Sequence, residues 1–269
     1  MNNRIFLKKT EKYRNEGWDQ KGLTKEYKEI KEGVRNGLTE KQVDIYAKKC
    51  FNHEQMYEIR IGLKEGLGEE KVLMYAKPEF DGEQMWSIKK AFTDGLSVEQ
   101  VKLFAKPEVQ SWKMKELTKA FTKYPQLNGE QVEVLINQDF YGSGMTEITK
   151  GFMENHLSVE QVKIIANPKL DSDQMEQLRI AFTDGLSIEQ VKSIANPYTD
   201  WEKMMALRLA YYNNHGSEKE IEKKVELYTR PEISKKDLTI IEWGVKAKLS
   251  KVQMNGLLNT LLKSSRSKY

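Results

Sequence analysis

A block of about thirty residues recurs along most of this chain, and the period constrains the fold more than any other feature. Each block opens with a leucine, and successive opening leucines are separated by 29, 29, 31, 30, 29 and finally 63 residues. They are Leu38, Leu67, Leu96, Leu127, Leu157, Leu186 and Leu249. Such a period is typical of stacked supersecondary units, each too small to bury its apolar face without a neighbour. The last step spans two repeats.

Each block contains the start and stop signals of two short helices. Ser97 and Gln100 have the spacing of a capping box, which predicts the start of a first helix, helix A. Helix A ends near a proline, because the residue before proline is pushed out of the helical region. Asp81 and Gln84 have the same spacing and predict the start of a second helix, helix B. Gly95 then ends helix B in the left-handed conformation that glycine adopts most easily.

These patterns predict an all-α fold, namely an α-solenoid of about eight tandem helical hairpins with a superhelical architecture like that of HEAT and TPR proteins. A bend is expected where the repeat is interrupted by glycines and lacks its proline. The expected parts are N-terminal capping helices at 1–36, tandem hairpins at 37–216 with the bend near 124–145, a C-terminal hairpin and cap at 217–262, and a disordered tail at 263–269.

The composition agrees with helices that bury only one stripe. Apolar residues make up 39% of the chain and charged residues 31%, which suits short helices with wide solvated faces. Cys50 is the only cysteine, so an internal disulfide framework is excluded. The sequence has neither a signal-peptide pattern nor the roughly twenty apolar residues of a membrane helix. A cytoplasmic protein without membrane association is therefore expected.

The sequence lacks the motifs of catalysis. His53, His156 and His215 fall in different repeats and share no metal-ligand spacing. Cys50 has no adjacent base other than His53 three residues later, which is a weak indication of a nucleophile. No phosphate loop, dinucleotide fingerprint, nucleophile elbow or zinc-hydrolase motif occurs. We expect a protein that is not an enzyme and that has no cofactor, metal or small-molecule substrate.

Residues that depart from the repeat are candidates for partner binding. We number helix B from the methionine of its apolar stripe, position m, which is Met85 in the second full repeat. Position m+1 lies about 100° from this stripe. The candidates are Tyr57, Trp86 and Lys115 at m+1, Ile61, Lys90, Lys119 and Lys150 at m+5, and Trp112 at m−2. Aromatic anchors beside basic residues are typical of interface hot spots. The alternative is that this face packs against helix A of the next repeat.

Basic residues also recur at m+4, as Arg60, Lys89, Arg179 and Arg208. They could bind phosphates, or pair with glutamates of neighbouring helices, in which case each pair would contribute little. The net charge of +4 is uneven along the chain, because residues 1–36 carry +4, residues 217–269 carry +5, and the middle carries −5. The basic ends could keep the terminal repeats soluble or bind an acidic partner.

The recurring phrase GLSxEQVKxxAxPxxDxxQMxxIRxAFxDGLS, found across residues 37–211, resembles short helical-hairpin repeats in proteins of phages, plasmids and other mobile elements of low-GC Gram-positive bacteria. The resemblance implies the same architecture and a role in the contest between mobile elements and hosts. One such role is an inhibitor that sterically blocks a bacterial immune effector, such as a CRISPR nuclease complex. No functional residue is carried over, because the recurring letters are caps and core.

Three functions remain open from the sequence. The first is a non-catalytic inhibitor or adaptor whose partner is a protein or ribonucleoprotein complex. The second is a helical-repeat protein that binds nucleic acid directly through its basic ends and a strip of lysines formed by Lys115, Lys119 and Lys150. The third is a structural spacer without a binding partner.

Overall fold

The structure, a computed structural model, describes residues 10–18, 24–137, 142–212, 218–228, 230 and 233–266. All regular secondary structure in these ranges is helical, and no strand occurs in them. The prediction of an all-α fold is therefore confirmed. The chain divides into two compact units, Met1–Val132 and Glu133–Tyr269, which we call the N-terminal and C-terminal units. The division falls inside the segment 124–145, where the bend stays a prediction.

In the N-terminal unit, short helices of seven residues alternate with helices of twelve or thirteen. The helices are α1 (residues 10–18), α2 (Thr24–Arg35), α3 (Glu40–Tyr46), α4 (His53–Lys64), α5 (Glu69–Tyr75), α6 (Gly82–Thr93), α7 (Val98–Phe104) and α8 (Ser111–Lys123). Helix α9 (Gly129–Ile136) contains the division between the units. Helices α3, α5 and α7 are the predicted helices A, and α2, α4, α6 and α8 are helices B.

The C-terminal unit continues the alternation and ends in longer helices. They are α10 (Gly142–Met153), α11 (Val159–Ile165), α12 (Ser172–Thr183), α13 (Ile188–Ile194), α14 (Trp201–Tyr211), α15 (Glu218–Tyr228), α16 (Lys235–Lys246) and α17 (Lys251–Arg266). Helix α17 shows that residues 263–266 are helical, so the predicted disordered tail was wrong for them. Leu258 and Leu261 anchor this helix in the core, and no proline or glycine follows to stop it. Residues 267–269 lie outside the described residues.

Capping boxes and tight turns set the helix ends. Ser97 Oγ accepts a hydrogen bond from the Gln100 amide at 3.2 Å, and Gln100 Oε1 accepts one from the Ser97 amide at 2.9 Å, as predicted. Helix α5 ends in an inverse γ-turn at Ala76, with φ −72° and ψ 62°. The same turn forms at Ala47, which has no proline nearby in the sequence. Helix A therefore ends in the same turn whether or not a proline follows it.

The core forms where the stripes of successive helices B meet. In the N-terminal unit α2 packs on α4, α4 on α6, and α6 on α8; in the C-terminal unit α10 packs on α12, α12 on α14, and α14 on α16. Met85, Ile88 and Phe92 are all buried, which confirms the predicted stripe. Helix α1 lies against α2 and is tied to α3 by the Tyr13 hydroxyl, which donates to Asp44 Oδ1 at 2.7 Å.

In three helices B a glutamine at the third position joins its repeat to the next. Gln84 Oε1 accepts the Asp81 amide of its own capping box at 3.0 Å, while Nε2 donates to the carbonyls of Pro107 and Val109, both at 2.8 Å. Glutamate could complete the capping box but could not donate these two bonds. We call this arrangement the glutamine clamp. It recurs at Gln55, with Pro78 and Phe80, and at Gln174, with Pro197 and Thr199.

A glycine of helix B accommodates a tyrosine of the following helix A. The Tyr75 hydroxyl donates to the Glu58 carbonyl at 3.4 Å, and a Cβ on Gly62 would lie 1.9 Å from the Tyr75 oxygen. Burial raises the pKa of Tyr75 above its ordinary value, so the phenol stays protonated and able to donate. The pair recurs as Gly33 and Tyr46, where the same distance is 1.8 Å. A side chain at either glycine would displace the tyrosine ring.

The glutamine clamp predicts that Gln174→Glu lowers the free energy of unfolding by about 2–4 kcal/mol, because two donors are lost and a carboxylate then faces two carbonyl oxygens. Gln190→Glu is the matched control, since within the described residues the Gln190 side chain takes part only in its own capping box. That variant should stay within about 0.5 kcal/mol of the parent protein. Urea denaturation measures both, and equal losses would contradict the clamp.

The glycine–tyrosine pair predicts that Tyr75→Phe rescues Gly62→Ala. Gly62→Ala alone should cost about 1–3 kcal/mol, because the added methyl group overpacks the tyrosine hydroxyl. Removal of that hydroxyl should make the alanine acceptable, since the next repeat has Ala91 and Phe104 at the equivalent positions. The measurement is a double-mutant cycle by chemical denaturation. Simple additivity of the two single effects would disprove the steric pairing.

Candidate functional site

Seven of the eight candidate residues lie on three successive helices of the N-terminal unit, α4, α6 and α8, which pack side by side. Tyr57 and Ile61 are on α4, Trp86 and Lys90 on α6, and Trp112, Lys115 and Lys119 on α8. The eighth, Lys150, is on α10 in the C-terminal unit. The repeat spacing therefore places aromatic and basic side chains at equivalent positions of neighbouring helices.

Two of the aromatic side chains keep much of their surface in solvent. Tyr57 is 44% exposed and Trp86 is 38% exposed, while the preceding stripe residues Met56 and Met85 are fully buried. Trp112 is partly buried, and its indole N–H donates to the side chain of Gln110. Exposed rings of this size are the kind of apolar surface that marks interaction sites.

A lysine from the next helix lies over the exposed tryptophan. Lys115 Nζ is 4.9 Å from the centroid of the Trp86 ring, within the range of a cation–π interaction. Both residues occupy position m+1, so the contact bridges α6 and α8 across the surface. On α4 the guanidinium of Arg60 lies 5.2 Å from the centroid of the Tyr57 ring. A cation therefore lies over each of these two aromatic rings and restrains its orientation.

Two grooves meet at Trp86 and Lys115. The first, which we call the acidic groove, has a volume of about 580 Å³. It is lined by Glu29, His53, Glu54, Tyr57, Glu58, Gly82, Glu83, Trp86 and Lys115. The second, the basic groove, has a volume of about 750 Å³. It is lined by Trp86, Ser87, Lys90, Asp94, Trp112, Lys115, Glu116, Thr118, Lys119, Thr122 and Lys123.

The basic groove is lined by two short side chains from neighbouring helices B. Ser87 is the m+2 residue of α6 and Thr118 the m+4 residue of α8, and both line the groove. Their hydroxyls donate to carbonyls of their own helices, those of Glu83 and Met114, each at 2.8 Å. Between α4 and α6 the same two positions hold Glu58 and Lys89, which are both long and form an ion pair. The small pair therefore leaves room between α6 and α8.

Two candidates, Ile61 and Lys150, line neither groove. Ile61 is partly buried on α4. Lys150 pairs with Glu147 on its own helix at 2.6 Å. Of the remaining lysines, Lys90 pairs with Asp94, and Lys119 pairs with Glu116 at 2.7 Å, both within their own helices.

Charged groove residues that sequence reasoning missed include Glu54, Glu83 and Lys123. Glu54 and Glu83 share the second position of their helices, and Lys123 lies one helical turn beyond Lys119. Their spacing was visible in the sequence, but their place on the surface depends on which helices are neighbours.

The cations at m+4 are internal and are not available to phosphates. Arg60 Nε lies 2.8 Å from Glu29 Oε2, with side chains only 7% and 12% exposed. Lys89 Nζ lies 2.8 Å from Glu58 Oε2. In the C-terminal unit Arg179 Nε lies 2.9 Å from Glu147 Oε2. Pairing with neighbouring glutamates is confirmed. Because these pairs are buried, loss of one partner would leave an uncompensated charge away from solvent.

Arg208 is the most buried of these cations and has three partners. Its guanidinium binds Asp184, lies 2.8 Å from Glu242 Oε1, and donates from Nε to Gln177 Oε1 at 3.2 Å. Desolvation acts to raise the pKa of Glu242, but hydrogen bonds and charges from Lys246 and Arg208 outweigh it and lower the pKa. The Glu242 carboxylate is thus held in its charged form.

Within the described residues, no three His, Cys, Asp or Glu side chains lie close enough to hold a metal ion. Cys50 is exposed in the turn between α3 and α4. Burial raises the pKa of Tyr46. The pKa of Glu99 is lowered by hydrogen bonds from the backbone amide of Glu99 and from the Ser97 side chain, which belong to the start of helix α7. None of the helices in the described ranges is long and apolar enough to cross a membrane.

Adjacent lysines provide a test of the buried pairs. Lys89→Met should lower the free energy of unfolding by about 3–5 kcal/mol, because it leaves the Glu58 carboxylate buried without its cation. Lys90→Met removes only the exposed pair with Asp94 and should cost less than about 1 kcal/mol. Adding Glu58→Met to Lys89→Met should recover most of the loss. Chemical denaturation gives all three values, and similar costs for the two single variants would refute the assignment.

Comparison of the chain with protein-family models, with curated proteins and with solved structures found no match. The resemblance to repeats of mobile elements therefore stays a prediction from the sequence.

Proposed function

We propose that this protein is a non-catalytic α-solenoid of about eight helical hairpins that binds another protein, free or within a ribonucleoprotein complex. The binding surface is the pair of grooves on α4, α6 and α8. One observation carries the proposal: Trp86 lies exposed between the two grooves with Lys115 over its ring. Tryptophan is among the residues that most often dominate the binding energy of protein interfaces.

Comparison among the repeats supports a role outside the scaffold. Position m+1 holds Thr146 and Glu176 in two helices of the C-terminal unit, and Met205, which is buried, in a third. The same fold of the hairpin is therefore compatible with small, acidic or apolar residues at this position. An exposed tryptophan is not required by the scaffold, so its presence is better explained by contact with a partner.

Binding of this kind acts by covering part of the partner, with no bond made or broken. The protein would be an inhibitor or an adaptor. In the form implied by the sequence resemblance, it would be an anti-defence protein of a mobile element that occludes a surface of a bacterial immune effector.

Direct binding of nucleic acid is the second candidate function. Trp86 and Trp112 beside lysines of the basic groove could stack bases and contact phosphates. Three observations weigh against it: the recurrent cations at m+4 are buried in ion pairs, the adjoining groove is acidic, and two groove lysines already pair with carboxylates.

The test of the proposed function is capture of a protein from the native host lysate by immobilised parent protein, followed by affinity measurement with the purified partner. The double variant Trp86→Ala and Trp112→Ala should bind at least about 30-fold more weakly, as for hot-spot residues. Trp243→Ala is the control, because Trp243 is 65% exposed on α16 of the C-terminal unit. It should bind as the parent does, and circular dichroism should show all three to be helical.

The outcomes separate the candidate functions. Capture that survives nuclease treatment and is lost in the double variant supports the proposal. Capture of no protein would favour the structural spacer. Direct binding of DNA or RNA oligonucleotides that weakens steeply with salt would favour the nucleic-acid function. Unchanged affinity of a folded double variant would remove the surface from the proposal.

A further inference from the structure

The two grooves have opposite charge and share one aromatic centre. Glu29 and Glu58 of the acidic groove are already paired with Arg60 and Lys89. Its remaining acidic residues, Glu54 and Glu83, are exposed and form no ion pair with any described residue. Glu83 accepts one hydrogen bond, from the Ser111 hydroxyl at 2.9 Å. The negative charge available to a partner is therefore that of these two glutamates.

The basic groove has the opposite balance. Four lysines line it, Lys90, Lys115, Lys119 and Lys123, against two carboxylates, Asp94 and Glu116. Lys90 and Lys119 pair with these two carboxylates. Lys115 forms no ion pair with any described residue and keeps its positive charge beside Trp86.

The helix dipole explains some of these charges but not the site. Acidic residues in a first turn and lysines in a last turn are favoured by the dipole of any helix. The C-terminal unit shows the same preference, with Asp173 in the first turn of α12 and Glu202 in that of α14. It has no equivalent of the exposed Trp86 or of the lysine over its ring at position m+1. In the C-terminal unit Lys235 lies over the ring of Trp201, but both residues precede the buried stripe by three positions. The surface on α4, α6 and α8 instead combines such a contact with exposed aromatic residues at m+1.

We propose, on the basis of the proposed function, that this surface binds a charge-divided polypeptide segment. Basic residues of the segment lie in the acidic groove, an apolar side chain lies on Trp86 and Trp112, and acidic residues lie in the basic groove. Packed helices are about 8–10 Å apart, so the path from α4 to α8 is about 20 Å long. About six residues of extended chain or about thirteen residues of helix cover this distance.

Electrostatics favour a polypeptide over a nucleic acid as the occupant. A strand following the same path has a negative charge at every phosphate, and it would bring phosphates against Glu54 and Glu83. Like charges at close range are repulsive and act against the wrong partner. A polypeptide can change the sign of its charge along its length, so it can be complementary to both grooves at once.

Display of random peptides of roughly sixteen residues, long enough to include the helical case, provides the probe. The library is selected on the intact parent protein after depletion on the Trp86→Ala and Trp112→Ala double variant. We expect enriched peptides to contain a basic cluster and an acidic cluster separated by an apolar residue. Enrichment of peptides with charge of one sign, of peptides without charge clusters, or of none over background would overturn the proposal.

Charge reversal then tests the pairing directly with the most enriched peptide, synthesised with a fluorescent label. The variant Glu54→Lys and Glu83→Lys should weaken its binding at least about tenfold, and reversal of the peptide's basic cluster should restore the affinity. The variant Asp173→Lys and Glu202→Lys is the matched control, because it changes the equivalent first-turn residues in the C-terminal unit and should leave binding unchanged. Equal effects of the two variants, or no rescue, would refute the assignment.

The result is distinguishable from failure of the proposed function. If a protein from the lysate depends on Trp86 and Trp112 but binds the Glu54→Lys and Glu83→Lys variant as tightly as the parent, the interface stands and the charge-divided partner is wrong. If an oligonucleotide binds the parent and loses affinity in the tryptophan double variant, the occupant is a nucleic acid and both proposals are wrong.

Discussion

The hydrogen bonds from Gln55, Gln84 and Gln174 to the loop before the next helix B are the interaction on which the regularity of each unit depends. Helices of seven or twelve residues are too short to be stable alone, so their positions are set by their neighbours. The clamp fixes the start of one helix B relative to the previous one. That start determines which residues form the buried stripe. In α4 and α6 it leaves the residue at m+1, Tyr57 or Trp86, exposed to solvent.

The local features could be predicted from the sequence because they depend on residues close together in the chain. The capping box at Ser97, the burial of Met85 and the end of helix A all follow from spacings of three to eight residues. Position m+1 was placed off the stripe by the same geometry, so the exposure of Tyr57 and Trp86 could be anticipated.

The features that could not be predicted join residues about 13 to 31 positions apart. Lys89 and Lys90 are neighbours in sequence, yet one is buried against Glu58 and the other is exposed, and only the packing of α4 on α6 distinguishes them. The second role of Gln84 depends on the loop before α8, and the fit of Gly62 to Tyr75 depends on the packing of α5 on α4. The grooves likewise exist only because α4, α6 and α8 are side by side.

The ion pairs at m+4 also have a direction, since each cation reaches back to the helix B that precedes it. In α16, where Leu238 takes the place of the methionine, the m+4 residue is Glu242, which binds Arg208 of α14. A carboxylate thus takes the position on α16 that the cation has on α14. The Arg208 guanidinium is held from both sides, by Gln177 and Asp184 on the side of α12 and by Glu242 on the side of α16. The side chain that joins α14 to α12 therefore also joins it to α16, so the three helices share one buried charge network.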